Sequence, residues 1–557
     1  MQQRMPIGIE DFQRLITGNY YFVDKTDFIR QLIDNHGAVT LITRPRRFGK
    51  TLTMSMLAWF FSLEKERQSR TLFQGLAIEK AGAAYMQQRG QYPVLFFTLK
   101  NFSARTWQDM FGMWQNFLQD LFLQHTYLRK GKQVQPELLA DFESIIQRKA
   151  HTPTLSTAIA LLMKMMHQYY GKRVILLIDE YDAPIQQAWN EGFYKDSITF
   201  MRQLLGSALK TNDDLEFALV TGVMRVAKES IFSGLNNFQT CSVLDKKYSD
   251  IFGFTAQEIR KMLASLHQAE KMPEIRSWYD GYRMGGQEIY NPWSVLNYLE
   301  NDCLPKAYWV RTSGNSILRL SLTQADPLQI AMVQDLVQGK SIKVTLDESV
   351  VYPEIGQDPS VLFTMFLTTG YLTVEKEDPL LPDRYLLRIP NKEIRQLYST
   401  EILNYLAQGI NRNTFDNLFE FLFQGETEKF SWQLQKILNQ FVSTYDTANK
   451  ESFYHGFMLG MTALFLGSDY QVESNRESGY GRFDLAIFPK DVHRTGVIME
   501  FKAAAQEKDL KNKAEEALQQ ITERAYSTEF TKRGIQHIWK YGIAFCGKKV
   551  CVVSENE

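Results

Sequence analysis

Cysteine is scarce in this chain, with four in 557 residues, and Cys241, Cys303, Cys546 and Cys551 nowhere form a C-x-x-C pair. That leaves no paired-thiol motif and fits a reducing compartment. Charge of either sign is not in excess, since Lys plus Arg equals Asp plus Glu at 63 each, so no global field draws the chain to nucleic acid or to an anionic membrane. Partners must be sought in local patches. The longest apolar helix candidate, Phe457 to Leu466, falls short of the roughly 20 residues a bilayer crossing needs, and reads as a buried core helix. The N-terminus lacks a charged start followed by an apolar core, so a cytoplasmic location without a membrane partner is expected. Repeats and low-complexity tracts are missing too. At 557 residues the chain exceeds what one core supports, and two to four domains are expected.

What is present begins near the N-terminus. Val39-Thr40-Leu41-Ile42-Thr43 reads as a buried strand, Arg44-Pro45-Arg46-Arg47-Phe48-Gly49-Lys50-Thr51 as a turn, and Leu52 to Phe61 as the helix that the turn opens. This is the arrangement of a phosphate-gripping P-loop: backbone N–H groups face the phosphates, a lysine reaches the terminal oxygens, and a hydroxyl holds Mg²⁺. Lys50 and Thr51 take the last two roles, with Arg46, Phe48 and Gly49 in the cradle. One position departs from G-x-x-x-x-G-K-[ST], because Arg44 stands where the first glycine is usual. The alternative is a basic strand-to-helix turn that holds no ligand.

A second segment bears on that choice. Val174-Ile175-Leu176-Leu177-Ile178 is a continuous apolar run ending in Asp179-Glu180, and in open α/β sheets chemistry sits at such strand ends. Asp179 would enter the Mg²⁺ shell and Glu180 would polarise the attacking water. Pro93 to Thr98 and Phe217 to Thr221 are further strand candidates, which puts Thr221 at a polar sensor position beside the phosphates and makes Arg225 a candidate γ-phosphate contact, in cis or from a neighbouring copy. An extra strand and a glutamate after the magnesium aspartate resemble the additional-strand, catalytic-glutamate branch of P-loop NTPases. Upstream, Tyr21 to Thr26 precedes a helix starting near Asp27 and either stacks on the adenine or packs as an aromatic strand in the core.

Punctuation suggests four regions: an ATPase sheet over 1–240 with a helical insertion near Arg105 to Met163, a helical lid over 241–340, a mostly helical connector over 341–450, and a C-terminal domain over 451–557. In the lid, Thr255 and Glu258 have capping-box spacing for a helix through Leu266. Trp278 to Tyr282 and Tyr290 to Ser294 are dense in aromatics and turn formers and read as packing between lid and core. In the connector only Gly370 to Val374 looks like a strand.

The last hundred residues hold a second constellation. Arg482 to Phe488 alternates like a strand and Gly496 to Lys502 is the next one, so Glu500 and Lys502, two apart, share a face and a paired strand brings Asp484 beside them. Two carboxylates and a lysine on one sheet face suit a hard divalent ion and a phosphodiester. A helix from about Glu507 to Tyr526 and a strand Tyr541 to Phe545 complete an α-β-β-β-α-β order. Glu473 or Glu477 could add a carboxylate, and His455 is either a metal ligand or a packing residue. This segment carries 14 Lys plus Arg against 15 Asp plus Glu, so a duplex would need patches such as Arg476, Arg482, Lys532, Arg533, Lys548 and Lys549.

Asp484…Glu500-x-Lys502 resembles the PD-(D/E)xK nuclease signature, and the whole chain resembles the bacterial AAA-ATPase-like proteins that carry such a domain at the C-terminus. The likeness runs through Arg44 to Thr51, Ile178 to Asp182, Thr221-Gly222, Ser233 to Asn236, Phe252 to Phe254, Trp278 to Tyr282 and Tyr290 to Pro292. In that family Arg44 is the expected residue, and Gln520 and Tyr526 resemble the helix Gln and Tyr of nuclease relatives, at a spacing of six residues. The resemblance implies an α/β protein: a P-loop NTPase domain with parallel sheet and helical lid, plus a nuclease-like α/β domain. It implies ATP and Mg²⁺ as ligands, with Mn²⁺ an option at the Asp484–Glu500 site. DNA or RNA and a second copy of the chain are candidate partners. Three functions follow: an ATP-gated metal-dependent nuclease, an ATPase whose nuclease-like domain only binds, or an ATP-switched signalling scaffold.

Overall fold

A computed structural model describes residues 4–35, 37–225, 238–309, 339–348, 359–398, 412–441, 469–478 and 481–557, with single positions such as Tyr352, Tyr454 and Met458 between them. It separates into two compact units, Met1–Gly314 with Ser341–Asn391, and Asn315–Lys340 with Lys392–Glu557. The motif Ser233 to Asn236 and the side chains of His455, Arg476, Glu477 and Arg482 lie outside the described residues, as does most of the Phe457 to Leu466 segment.

The first unit is built on five strands, β1 (Val39–Thr43), β2 (Val94–Thr98), β3 (Val174–Asp179), β4 (Leu215–Gly222) and β5 (Phe238–Cys241), all parallel and ordered β2-β3-β4-β1-β5. β1 and β3 are buried at every position, as apolar runs covered on both faces must be. The strand interposed between β1 and β3 is β4, which comes last of the three in sequence, whereas β2 lies on the far side of β3. Helices α1 (Phe12–Thr17) and α2 (Asp27–Asn35) precede β1, and α3 (Lys50–Phe61) follows it with ten of its twelve residues buried. An expected helical insertion contains α4 (Trp107–Gln124) and α5 (Ala158–Tyr170).

Two small antiparallel sheets follow in this unit, β6 (Phe254–Thr255), β7 (Tyr282–Met284) and β8 (Gln287–Tyr290) in the order β6-β8-β7, then β9 (Ile342–Thr345), β10 (Thr373–Glu377) and β11 (Arg384–Arg388) in the order β10-β11-β9. The capping box forms as the spacing required, with Thr255 and Glu258 exchanging side-chain and backbone bonds at the start of α6 (Ala256–Ser265). Asn291 caps α7 (Pro292–Glu300) by accepting from the Ser294 N–H. Two local readings are corrected. Tyr21 to Thr26 is no strand: it follows the single bridge of Tyr20 with Arg4, and the Asp24 carboxylate takes the Thr26 N–H and hydroxyl and the Ala77 N–H. Gly370, with φ of 90°, turns the chain after a helix over Pro359–Thr369, so the strand expected from Gly370 starts only at Thr373.

The second unit carries β12 (Tyr470–Ser478), β13 (Gly481–Pro489), β14 (Gly496–Ala503), β15 (Ile538–Cys546) and β16 (Lys549–Asn556) in sequential order, with only β14 and β15 parallel. Neither β16 nor the pairing that it adds was anticipated. Leu422, Phe430 and Leu434, on α8 (Arg412–Gln424) and α9 (Thr427–Phe441), share a core with Met499, Ile543 and Met458. On the other face lies α10 (Leu510–Glu523), which approaches β15 so closely that a Cβ on Gly542 would sit 2.1 Å from the Ala514 carbonyl oxygen. Only glycine admits that contact.

Candidate functional site

The P-loop is shaped by two left-handed residues, Arg47 with φ of 68° and Gly49 with φ of 88°, and delivers the chain into α3 with no side chain capping it. Its open N–H groups and dipole make an anion site. Lys50 is buried, and its Nζ donates to the Arg44 and Pro45 carbonyls, each at 3.0 Å, and lies 3.2 Å from the Glu180 carboxylate. Next to it the Thr51 hydroxyl donates to one oxygen of Asp179 and the Thr221 hydroxyl to the other, both at 2.7 Å. Adjacent strand ends β3 and β4 and the first turn of α3 thus meet on a single carboxylate. Burial, then the neighbouring Glu180 charge, pushes the Asp179 pKa upward. Glu180 itself adopts φ of 54°, a left-handed backbone uncommon for such a residue.

Lys50, Thr51 and Glu180 border a cavity of about 530 Å³ whose walls include Arg46 to Thr53, the segment Pro6 to Glu10, Tyr21 to Val23, and Trp293, whereas the fully buried Asp179 and Thr221 do not line it. That volume lies within the usual range of a small-molecule site. Tyr21 to Val23 line the cavity, and Tyr21 and Val23 also pack against a hydrophobic core, so the segment serves both surfaces. Arg46 donates to the Gln186 side chain at 2.6 Å, and Phe48 is buried edge-on to Tyr282 while its carbonyl accepts from Gly253. Arg225, expected at the γ-phosphate in cis or from a neighbouring copy, does not line this chain's own cavity; its charge is felt by the half-buried Glu348 carboxyl, which burial pushes up against the Ser242 hydrogen bond and, less, the Arg225 charge.

Arg44 resolves the departure from the glycine pattern. Fully buried, its guanidinium donates to the carbonyls of Thr43, Cys241, Ser242 and Tyr248 at 2.6 to 3.0 Å, tying the P-loop to the chain beyond β5. Burial lowers its pKa to about 10, still charged at neutral pH. The residue is therefore a strut of the loop and takes no phosphate.

Three contributions escaped the sequence reading. Asp182 is buried, accepts the Val223 and Met224 N–H groups at 2.9 Å each, and has its pKa pushed up to about 6 by burial and then by Glu180. Its place two residues past Glu180 was the available signal. Trp293, assigned to packing, borders the cavity and carries the Arg47 guanidinium 4.4 Å above its ring. Glu10 and Lys100 also border it and pair with each other.

In the second unit the β13–β14 ladder pairs Leu485 to Ile487 with Met499 to Val497 and stops. Beyond that point side chains take over the backbone groups: the Phe501 N–H donates to Asp484 at 2.8 Å and the Asp484 N–H donates to Glu500 at 3.2 Å. The strand ends are thus clasped by the two carboxylates that the sequence paired. Lys502 Nζ lies 3.9 Å from Glu500, and Gln520 of α10 donates to the buried Glu500 carboxylate and sits 3.4 Å from the Tyr526 hydroxyl. One extra turn after Glu523 brings Gln520 and Tyr526 together despite their six-residue spacing.

Other expectations for this site change. Glu473 is no additional metal carboxylate, because it pairs with Arg533 at 2.9 Å. Arg533 in turn is held by Glu473 and Glu529 and lies 3.9 Å above the Phe488 ring, which removes it from any free basic patch. Among the described residues no group of three or more His, Cys, Asp and Glu side chains is placed to hold a metal. Asp484 and Glu500 do supply the hard oxygen donors that a divalent ion of this kind prefers.

The folds and sites define a protein of two modules, a P-loop ATPase-like module and a nuclease-like one. Comparison with known families agrees: residues 6–232 match the model of the predicted AAA-ATPase family, and residues 449–555 match that of the PD-(D/E)XK nuclease superfamily. The chain thus joins an AAA-ATPase-like domain to a domain of the PD-(D/E)XK nuclease superfamily. It is also similar along almost its whole length to an "Uncharacterized protein in vnfD 5'region" of Azotobacter chroococcum mcd 1, at 29% identity over 554 residues, covering 98% of this chain and 96% of that one. No helix among the described residues is long and apolar enough to cross a membrane.

Proposed function

We propose that the first unit binds and slowly hydrolyses Mg²⁺-ATP and that the C-terminal domain is a metal-dependent nuclease whose cutting responds to the nucleotide. The observation that carries the first half is the meeting of Thr51 and Thr221 on the buried Asp179 carboxylate, with Lys50 and Glu180 paired on the cavity wall. Thr51 and Asp179 would hold the ion, which supplies charge neutralisation at the phosphates. Lys50 is engaged with Glu180 and with its own loop, so a triphosphate that draws Lys50 away also frees Glu180 to orient water. Arg46 has a neutral partner in Gln186, which leaves its charge for the phosphates.

At the second site Asp484 and Glu500 would hold Mg²⁺ or Mn²⁺, while Lys502 orients the attacking water and offsets charge on the phosphodiester. A binding-only reading keeps one support: the Glu500 carboxylate is already engaged by Gln520, the Asp484 N–H and Lys502. One experiment separates the readings. Single- and double-stranded DNA and RNA are incubated with Mg²⁺ or Mn²⁺, with and without ATP, using wild type, Lys50→Ala, Glu180→Gln and Glu500→Ala. Expected are loss of ATP binding in the lysine variant, binding without turnover in Glu180→Gln, and loss of cleavage with ATP hydrolysis retained in Glu500→Ala. Cleavage undiminished in Glu500→Ala, or none in any nucleotide state, favours the binding-only reading.

A further inference from the structure

The cavity holds more positive charge than the P-loop explains. Of its cations, Lys25 is committed to Glu258 at 2.6 Å and to the Asp250 carbonyl, Arg47 lies on Trp293, and Lys50 belongs to the loop itself. Arg46, whose partner is the neutral Gln186, and Lys100 remain, and Lys100 comes from a different strand. It stands just past β2, one residue after Leu99, whose N–H donates to the Asp179 carbonyl at 2.9 Å. In the order β2-β3-β4-β1 this places Lys100 beside the end of β3, which carries Asp179 and Glu180, and away from the end of β1, which opens the P-loop. Its partner is Glu10, on the segment before α1 that also lines the cavity, and their side chains are 38% and 45% exposed. A pair that exposed is screened by water and weak, so a phosphate oxygen exchanges for Glu10 at little cost.

We propose that Lys100 is a γ-phosphate-binding cation and Glu10 its stand-in when the site is empty, so that this pair sets the preference for a nucleoside triphosphate over a diphosphate. The proposal rests on the P-loop reading above. The test titrates ATP and ADP, each with Mg²⁺, into the full chain by calorimetry, using wild type, Lys100→Gln, Glu10→Gln and the double variant. Lys100→Gln should weaken ATP about tenfold and ADP less than about twofold, as loss of one charge-assisted contact implies. Glu10→Gln should tighten ATP about threefold by removing the competitor. In the double variant ATP affinity should match Lys100→Gln alone, because Glu10 acts only through Lys100. Wild type binding neither nucleotide overturns the P-loop reading itself. Wild type binding ATP while Lys100→Gln changes ATP and ADP equally, or changes neither, overturns the role of Lys100 alone. Retained thermal melting of each variant shows that the site, not the fold, was altered.

Discussion

Replacing Arg44 by the glycine that the P-loop pattern ordinarily carries should damage this protein rather than improve it. The guanidinium saturates carbonyls at Thr43, Cys241, Ser242 and Tyr248, three of them about two hundred residues away in sequence. Arg44→Gly takes a donor from each of those three buried carbonyls, of which Ser242 keeps the Asp245 N–H at 3.4 Å, at about 1 kcal/mol each, and opens a void where a fully buried side chain stood. Relief from burying a cation offsets part of this, for a net loss of about 3 kcal/mol. That is a large share of the ~5–15 kcal/mol available to a folded domain. Arg44→Lys, with a point charge in place of a fork, cannot span the four carbonyls and should fall between. The assay is urea unfolding by circular dichroism, read on the transition that ATP shifts, since two compact units need not unfold together. A glycine variant with an unchanged midpoint but lost ATP affinity would refute the argument, because it would make Arg44 a ligand of the nucleotide instead of a strut.

Gln520→Ala should lower any cleavage by about ten- to a hundredfold at unchanged melting temperature, since it removes a donor that orients Glu500; full activity in that variant counts against the site. Gly281→Ala should cost about 2 kcal/mol or more, because Gly281 has φ of 100° and a Cβ there would meet the Pro390 carbonyl oxygen at 2.0 Å; chemical denaturation measures it. Asp182 sets a pH dependence. Its folded pKa, about 6, lies above the model-compound 3.8, so the stability it contributes is fully present below about pH 4 and is lost as pH rises through 6. Asp182→Asn keeps an oxygen for the Val223 and Met224 N–H groups and should flatten that part of the stability profile; an unaltered slope between pH 4 and 6 would exclude Asp182 as its source.

The parts of the fold that were legible are those whose signal is local. β1 and β3 announce themselves as unbroken apolar runs, and the Thr255–Glu258 box by its spacing. Asp484, Glu500 and Lys502 came together because strand periodicity fixes which side chains share a face. What stayed hidden depends on contacts distant in sequence. Nothing near Glu473 tells that Arg533, sixty residues on, neutralises it. The sequence gives the Arg225 charge but not Glu348, which the fold sets near it. Trp293 reads as an ordinary buried aromatic until the positive φ of Arg47 swings a guanidinium over its ring. Tyr21 to Thr26 has the composition of a strand, but the Tyr21 N–H goes to the Arg4 carbonyl and the Thr26 N–H and hydroxyl to the Asp24 carboxylate, contacts that the composition does not announce.

The chain passes between its two compact units three times: between Trp309 and Gln329, again at Ser341, and finally after Asn391. Neither unit is one continuous stretch, so no single cut in the polypeptide releases either intact. A gene truncated before residue 341 would encode a P-loop sheet stripped of β9, β10 and β11 and of Pro45's neighbour Gly370. A premature stop before residue 341 would thus remove part of the first unit together with most of the second, and swapping either unit between relatives would require two grafts in register.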